Sequence, residues 1–244
     1  MLKTSCWLLL TAAAATLLWS QQQQQQQRAP TIPYTAAELE AIPLTPPRVG
    51  KSVTKSIFDG RTLNGWQGNP DWWSVADGAL RGKFHDKVPT SFLFTTENYS
   101  DFRLTLLSKM VESDNHAGVA FWGEITAKGD NKWYTQGPLV VFPNPSMWDY
   151  VEAKGLRVLK TATEKVTSQH DWIKVEILAQ GNRVRTALNG VQVIEWREAN
   201  PAARIKEGPI GVQLHAWTGP QEVLYKDVVV ETFPKEERLL TIKR

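Results

Sequence analysis

The chain has 244 residues, 42% of them hydrophobic, with 28 Lys and Arg against 25 Asp and Glu and a single cysteine, Cys6. That is enough apolar material for a full core, and one all-β domain commonly reaches about 200 residues or more, so a second domain is not required. The basic residues are scattered rather than striped, which argues against a nucleic-acid-binding face, and a lone cysteine inside the first twenty residues leaves the folded part without disulfides, thiolate catalysis or Cys-based zinc sites.

Residues 1–20 read as a signal peptide: Lys3 gives a short positive start, Trp7 to Leu18 is apolar and Ala-rich, and Ser20 offers a small residue for cleavage. A spanning helix needs about 20 apolar residues, and this run gives way sooner to the tract Gln21 to Gln27. The expectation is an exported protein, periplasmic or extracellular, with no membrane span in the mature chain. Residues 21–51, rich in Gln and then in Pro, Thr and Ala, predict a disordered, flexible linker; a short helical turn over 36–41 is closed off by Pro43, Pro46 and Pro47.

From residue 52 to residue 233 the punctuation is that of strands and turns. Ser56 to Phe58, Trp72 to Ala76, Ala79 to Lys83, Ser91 to Thr95 and Phe102 to Met110 are separated by Gly, Asp and Asn clusters. Val119 to Trp122, Leu139 to Phe142, Leu156 to Leu159, Trp172 to Ala179 and Arg183 to Leu188 continue the series. Around Asn189-Gly190, alternating residues over 172–194 predict a β-meander, because both central residues of that pair can take positive φ. A final pair, Gly211 to His215 and Glu222 to Thr232, should return near the first strand. The segment Ser56 to Leu80, with its two Asp-Gly turns and aromatic clusters, reads as the entry to a β-sandwich, and the class is all-β. Residues 234–244 form a charged tail expected on the surface.

Several of these residues fall in an order that resembles the 3-keto-disaccharide hydrolase domain family: Phe58-Asp59-Gly60 with Leu63, Gly65 and Trp66; Trp73, Val75, Asp77, Gly78 and Leu80; Tyr99, Asp101, Phe102 and Leu104; and, at the close, Gly208, Ile210, Gly211, Val212, Gln213, Leu214 and His215, then Lys226-Asp227-Val228. The resemblance covers about residues 53–233. It implies a concanavalin A-like jelly-roll sandwich of two antiparallel sheets, a bacterial carbohydrate-active protein, and hydrolase activity on a 3-keto-glycoside through C2 proton abstraction and elimination at C1.

Such chemistry needs a base, a donor near the ketone oxygen and an acid for the leaving group. His215 is the leading base, since Gln213 and His215 lie two apart on a predicted strand and share one face, a row that Trp217 continues. Glu124, just beyond Gly123, and Asp149, beside Trp148 and Tyr150, are the candidate carboxylates. Trp122, Tyr134, Trp148, Gln213 and Trp217 are candidate sugar contacts, because planar amphipathic rings suit the apolar faces of sugars; nine of the eleven tryptophans lie after the leader. Asp149 and Glu152, three apart, would point to opposite faces of a regular strand, and no Glu-x-Asp-x-x-Glu row is present, which disfavours a retaining glucanase. No cofactor is assigned with certainty, and a divalent metal is an option, since Glu112, Asp114 and His116 alternate and would share a face if that segment were a strand. The partner is then a carbohydrate or oxidised glycoside. The alternatives on the same fold are a carbohydrate-binding or adhesion module without turnover and a purely structural tethered domain.

Overall fold

Dihedrals at the turns decide the local structure. The computed structural model describes residues 31–85, 89–204, 207–215 and 219–243; the expected signal peptide, the glutamine tract and Trp217 lie outside them. Asp77-Gly78 and Asn189-Gly190 both take positive φ, 51° and 73° in the first pair and 50° and 84° in the second, so each closes a tight hairpin whose twist matches its flanking strands.

In chain order the strands are β1 Val53–Ser56, β2 Trp66–Gln67, β3 Trp73–Ala76, β4 Ala79–Phe84, β5 Ser91–Tyr99, β6 Phe102–Glu112, β7 Ala117–Ala120, β8 Ile125–Lys128 and β9 Asn131–Thr135. They continue with β10 Pro138–Phe142, β11 Ser146–Asp149, β12 Lys154–Gly155, β13 Leu159–Lys160, β14 Ile173–Gln180, β15 Arg183–Leu188, β16 Val191–Arg197, β17 Gly208–Leu214 and β18 Gln221–Thr232. The larger sheet runs β13-β16-β15-β14-β6-β18-β4-β3 with β1 on β18, the smaller runs β12-β11-β10-β7-β17-β5-β2, and β8 pairs β9 alone. All pairings are antiparallel, and the two large sheets form the expected sandwich, with the first strand returning to the last through Val53 opposite Thr232. The consecutive strands β17 and β18 do not pair; they lie in opposite sheets. Leu156 to Leu159 is likewise not a strand, since only its last residue enters β13.

Alternate residues of the smaller sheet serve two different cores. Leu93, Val119, Val140, Met147, Val212 and Leu214 face inward against Phe102, Leu104, Leu106, Val223 and Tyr225 of the larger sheet. Their neighbours Phe92, Phe94, Ala120, Leu139 and Val141 face outward and form a second apolar cluster, packed against Ile125, Trp133 and Tyr134 of the β8–β9 hairpin and against Trp148 and Tyr150.

Two segments expected to be loose are tied down. Residues 33–51 are a strap rather than a flexible linker. Helix α1, Ala36–Glu40, opens on a capping box between Thr35 and Glu38. Leu39 is buried, and the backbone N–H groups of Thr45 and Arg48 donate to Asn182 and Asp101 at 2.8 and 2.6 Å. The C-terminal tail crosses the outer face of the larger sheet, where the buried Arg103–Glu176 ion pair accepts it: Leu240 and Thr241 N–H donate to the Glu176 carboxylate at 2.9 and 2.8 Å, and Arg103 donates to the carbonyls of Glu236 and Arg238.

Candidate functional site

The register across the smaller sheet builds the site. Gln213 stands opposite Phe92, and Gly211 stands opposite both Phe94 and Ala120, so Gln213 and, two residues on, His215 belong to the outward face. Gln213 is fully buried, its backbone carbonyl accepting a 2.6 Å bond from the Tyr225 hydroxyl of the opposite sheet. Its amide Nε2 donates to Tyr150 Oη at 2.8 Å and lies 3.4 Å from His215 Nδ1, while its buried Oε1 has no hydrogen-bond partner among the described residues. His215 is half-buried, with Thr90 Oγ1 3.3 Å from the same Nδ1. The Thr90 carbonyl in turn takes a bond from Asn131 Nδ2 at the tip of the hairpin.

Rings surround this corner. Tyr150 meets Phe92 and Tyr134 edge-on at 5.6 and 4.9 Å, and Lys128 Nζ stands 5.0 Å from the Tyr134 ring centroid and donates to its hydroxyl. Burial pushes the Tyr150 phenol well above its ordinary range. Tyr150 therefore stays a protonated hydroxyl, and because its oxygen accepts from Gln213, its proton remains available to a ligand. Tyr134 and Trp148 are half-buried against the same cluster.

The three candidate acid–base residues are not brought together. Glu124 follows Gly123, whose carbonyl abuts Gly208 at the start of β17, whereas His215 lies just past that strand's end, roughly 20 Å away at about 3.3 Å per residue. Glu124 is exposed there. Asp149 is fully buried at the same far end and is held by Arg204 in a bidentate pair of 2.8 Å bonds, with a third from Val151 N–H. Arg204 also reaches Glu152 at 3.2 Å, so the chain turn after Asp149 brings the two carboxylates to one guanidinium instead of opposite faces. The structure thereby places Asp149 in a buried ion pair, away from His215.

Trp122 is not a sugar platform. Alternation from Ala120 would place it outward, but β7 ends at Ala120 and Trp122 adopts a positive φ of 53°, which turns its indole into the inner core, 2% exposed, with Nε1 donating to the Ser100 carbonyl. The option of a metal at Glu112, Asp114 and His116 also fails on geometry: Asp114 is exposed and faces His170 at 3.3 Å, while His116 stacks on His215 with ring centroids 3.9 Å apart. Among the described residues, no group of three or more His, Cys, Asp or Glu side chains is placed to hold a metal ion. Nor is any helix among them long and apolar enough to cross a membrane. Thr90, Tyr150 and the His116–His215 contact were beyond the reach of spacing alone. The period-two parity of Thr90 and Phe92 is the one signal that pointed to the first of them.

Residues 53–231 match the 3-keto-alpha-glucoside-1,2-lyase-like domain. The chain belongs to this family. Comparison with curated proteins gives no match. Among solved structures, the chain is similar to a protein described as a candidate glycosyl hydrolase from Parabacteroides distasonis, at 19% identity and a TM-score of 0.56 over 74% of this chain and 99% of that one. It is similar also to a protein with a galectin-like fold from Bacillus subtilis, at 12% identity and a TM-score of 0.55 over 76% and 98% of the two chains. A third likeness is to the carbohydrate-binding module CBM66 from Bacillus subtilis, at 16% identity and a TM-score of 0.52 over 69% and 96%. At these identities the likenesses establish the jelly-roll fold.

Proposed function

We infer that this is an exported carbohydrate-active enzyme that cleaves a 3-keto-glycoside, with His215 as the base that removes the C2 proton. A ketone at C3 acidifies that hydrogen; the electron pair left on C2 delocalises onto the ketone oxygen and then returns to expel the oxygen at C1. The observation that carries this reading is Gln213. A buried amide oxygen with no partner among the described residues costs about 1–3 kcal/mol, and it lies beside a half-buried imidazole and a phenol whose proton is free to donate. Tyr150, which that amide holds, is half-buried, and its proton suits a ketone oxygen on which negative charge develops. Family membership and the leader-like residues 1–20 support the substrate class and export.

The test is release of aglycone from a 3-keto-glucoside by the purified protein. His215→Ala should lower kcat by about 100-fold or more. Wild-type protein that leaves the keto-glucoside intact while binding an unoxidised glycan would favour the second reading, a carbohydrate-binding module. That reading is kept by one observation: among the described residues neither candidate carboxylate reaches His215.

A further inference from the structure

Strand β1 flanks β18 at the rim of the larger sheet, and the two-residue β2 flanks β5 at the rim of the smaller one. Between them, walled by the loop 57–65, lies a cleft of about 450 Å³, within the roughly 300–1,000 Å³ of small-molecule sites. Thr96 and Glu97, which line it, stand near the opposite end of β5 from Thr90 and the His215 corner, roughly 20 Å away at about 3.3 Å per residue. The loop is set in advance. Asp59 Oδ1 accepts from the Arg61 and Thr62 amides at 2.8 and 2.7 Å and its Oδ2 from the Thr62 hydroxyl at 2.7 Å, while Trp66 Nε1 donates to the Ile57 carbonyl at 2.8 Å and Thr96 N–H to the Gly65 carbonyl at 2.9 Å. Gly65 takes a φ of 82°, and a Cβ built on it would meet nothing within 4 Å, so its backbone is open to a ligand from the cleft side.

The polar groups of the cleft are both donors and acceptors. Lys55 Nζ donates to Glu97 Oε2, to which the Tyr99 hydroxyl also donates at 3.3 Å. Glu97 Oε1 and both ends of the Asn64 side-chain amide have no hydrogen-bond partner among the described residues, and both side chains are exposed. The Lys55 ammonium holds the Glu97 carboxyl below the usual range, and the Thr62 and Arg61 amides do the same for Asp59, so each stays an ionised acceptor at neutral pH. An anion entering the cleft would meet these two carboxylates, and Lys55 already occupies the place beside Glu97 that a cation would take. A neutral ligand carrying hydroxyls suits both constraints. Its hydroxyls can donate to Glu97 Oε1 and Asn64 Oδ1 and accept from Asn64 Nδ2, while its C–H face lies on Ile57 and Phe58.

We propose that this cleft is a second carbohydrate-binding site, one that holds a neutral saccharide through Asn64 and Glu97 without acting on it. It stands apart from the keto-glycoside reading, because none of its residues belongs to the His215 corner. Two sugar sites at opposite ends of β5 would also let one long glycan engage the domain twice, each contact raising the local concentration for the other.

The test is an NMR titration of the full-length protein with sucrose, trehalose, maltose and cellobiose in turn, each to about 50 mM, which reaches millimolar Kd values. At least one of the four should shift the Gly65, Thr96 and Glu97 amides saturably. Asn64→Ala, which removes an exposed side chain whose amide bonds to no described residue, and Glu97→Gln should each weaken that Kd by about fivefold or more. Glucuronic acid should bind at least about tenfold more weakly than the neutral sugar, since its carboxylate faces Asp59 and Glu97. His215→Ala should leave the Kd within about twofold of wild type. No saturable shift at these amides with any of the four sugars overturns the proposal. So does a Kd that neither cleft variant changes, glucuronic acid binding as tightly as the neutral sugar, or binding lost in His215→Ala. Cleavage of a 3-keto-glucoside is a separate readout, so the proposed function and this site fail independently.

Discussion

Asp149 decides between an anchoring and a catalytic reading of the sheet's far end, and Arg204→Met is the perturbation that separates them. The guanidinium supplies two 2.8 Å bonds to the fully buried Asp149 carboxylate and stands 3.1 Å from Glu198, itself only 7% exposed along its side chain. Methionine keeps the stem and removes the charge, leaving Asp149 with the Val151 N–H alone. Breaking a buried pair from one side costs about 3–5 kcal/mol. Arg204 is 18% exposed, so water re-enters part of the vacated space and the expected cost is about 4 kcal/mol. For a domain of this size that is a fall in Tm of roughly 10 °C, with the urea midpoint lowered and the slope unchanged. Adding Asp149→Asn should recover part of the loss, because the uncompensated charge on Asp149 is then gone and only the Glu198 carboxylate is left without the guanidinium. Keto-glucoside cleavage by Asp149→Asn, assayed below its melting point, should stay within about threefold of wild type, since an acid–base group would lose 100-fold or more. An Asp149→Asn protein that melts like wild type yet has lost activity on that scale would refute the anchoring argument.

Gln213→Leu removes both the unpaired acceptor and the bond to Tyr150, so stability should change by about 1 kcal/mol or less while kcat/KM falls about 100-fold; an active Leu variant would remove Gln213 from the site. Gly123→Ala drives a Cβ to 2.4 Å from the Gly137 nitrogen at the root of the β8–β9 hairpin, a backbone-on-backbone collision that should cost about 3 kcal/mol, checked by urea unfolding. Glu176 is pushed up by burial, but the Thr241 hydroxyl, the Leu240 and Thr241 amides and Arg103 outweigh it, so its carboxyl lies below the usual range in the folded state. The stabilisation is therefore fully present above the ordinary glutamate range and is lost as pH falls through the lower folded-state value. The stability gap between wild type and Glu176→Gln should narrow through that acid window, and a gap independent of pH there would contradict the assignment.

Local rhythm made the architecture readable, because turns and strand parity are properties of neighbouring residues. Asn189-Gly190 and Asp77-Gly78 need positive φ, and they adopt it. Gln213 and His215 share a face because two residues of extended chain always do. The rest depends on which strands meet. The β8–β9 hairpin, with its polar sequence around Gly129 and Asp130, carries little alternation and takes its place from Ile125, Trp133 and Tyr134 packing on Phe92 and Phe94. The strap at 33–51 offers one buried residue, Leu39; its order comes from Asn182 and Asp101, more than a hundred and about fifty residues away respectively. Glu124 and Asp149 stood beside His215 as candidates because spacing cannot tell which end of a sheet a residue occupies. Trp122 failed for a different reason: a single positive φ inverted its side.

The position of Gln213 and His215 within the sheet explains how an unsatisfied group is tolerated there. Strand β17 is paired on both sides, by β7 and β5, and the Tyr225 hydroxyl ties the Gln213 carbonyl to the opposite sheet as well. Backbone held from three directions does not relax to satisfy a side chain, so the Gln213 oxygen keeps its place although no described residue bonds to it. The outward cluster under the hairpin fills the middle of the face with Phe92, Phe94 and Leu139, which are 0–1% exposed, whereas the histidine end is half-buried. Rigidity there serves the chemistry proposed for it: a base and a donor separated by one amide hold their spacing only if the strand beneath them cannot move.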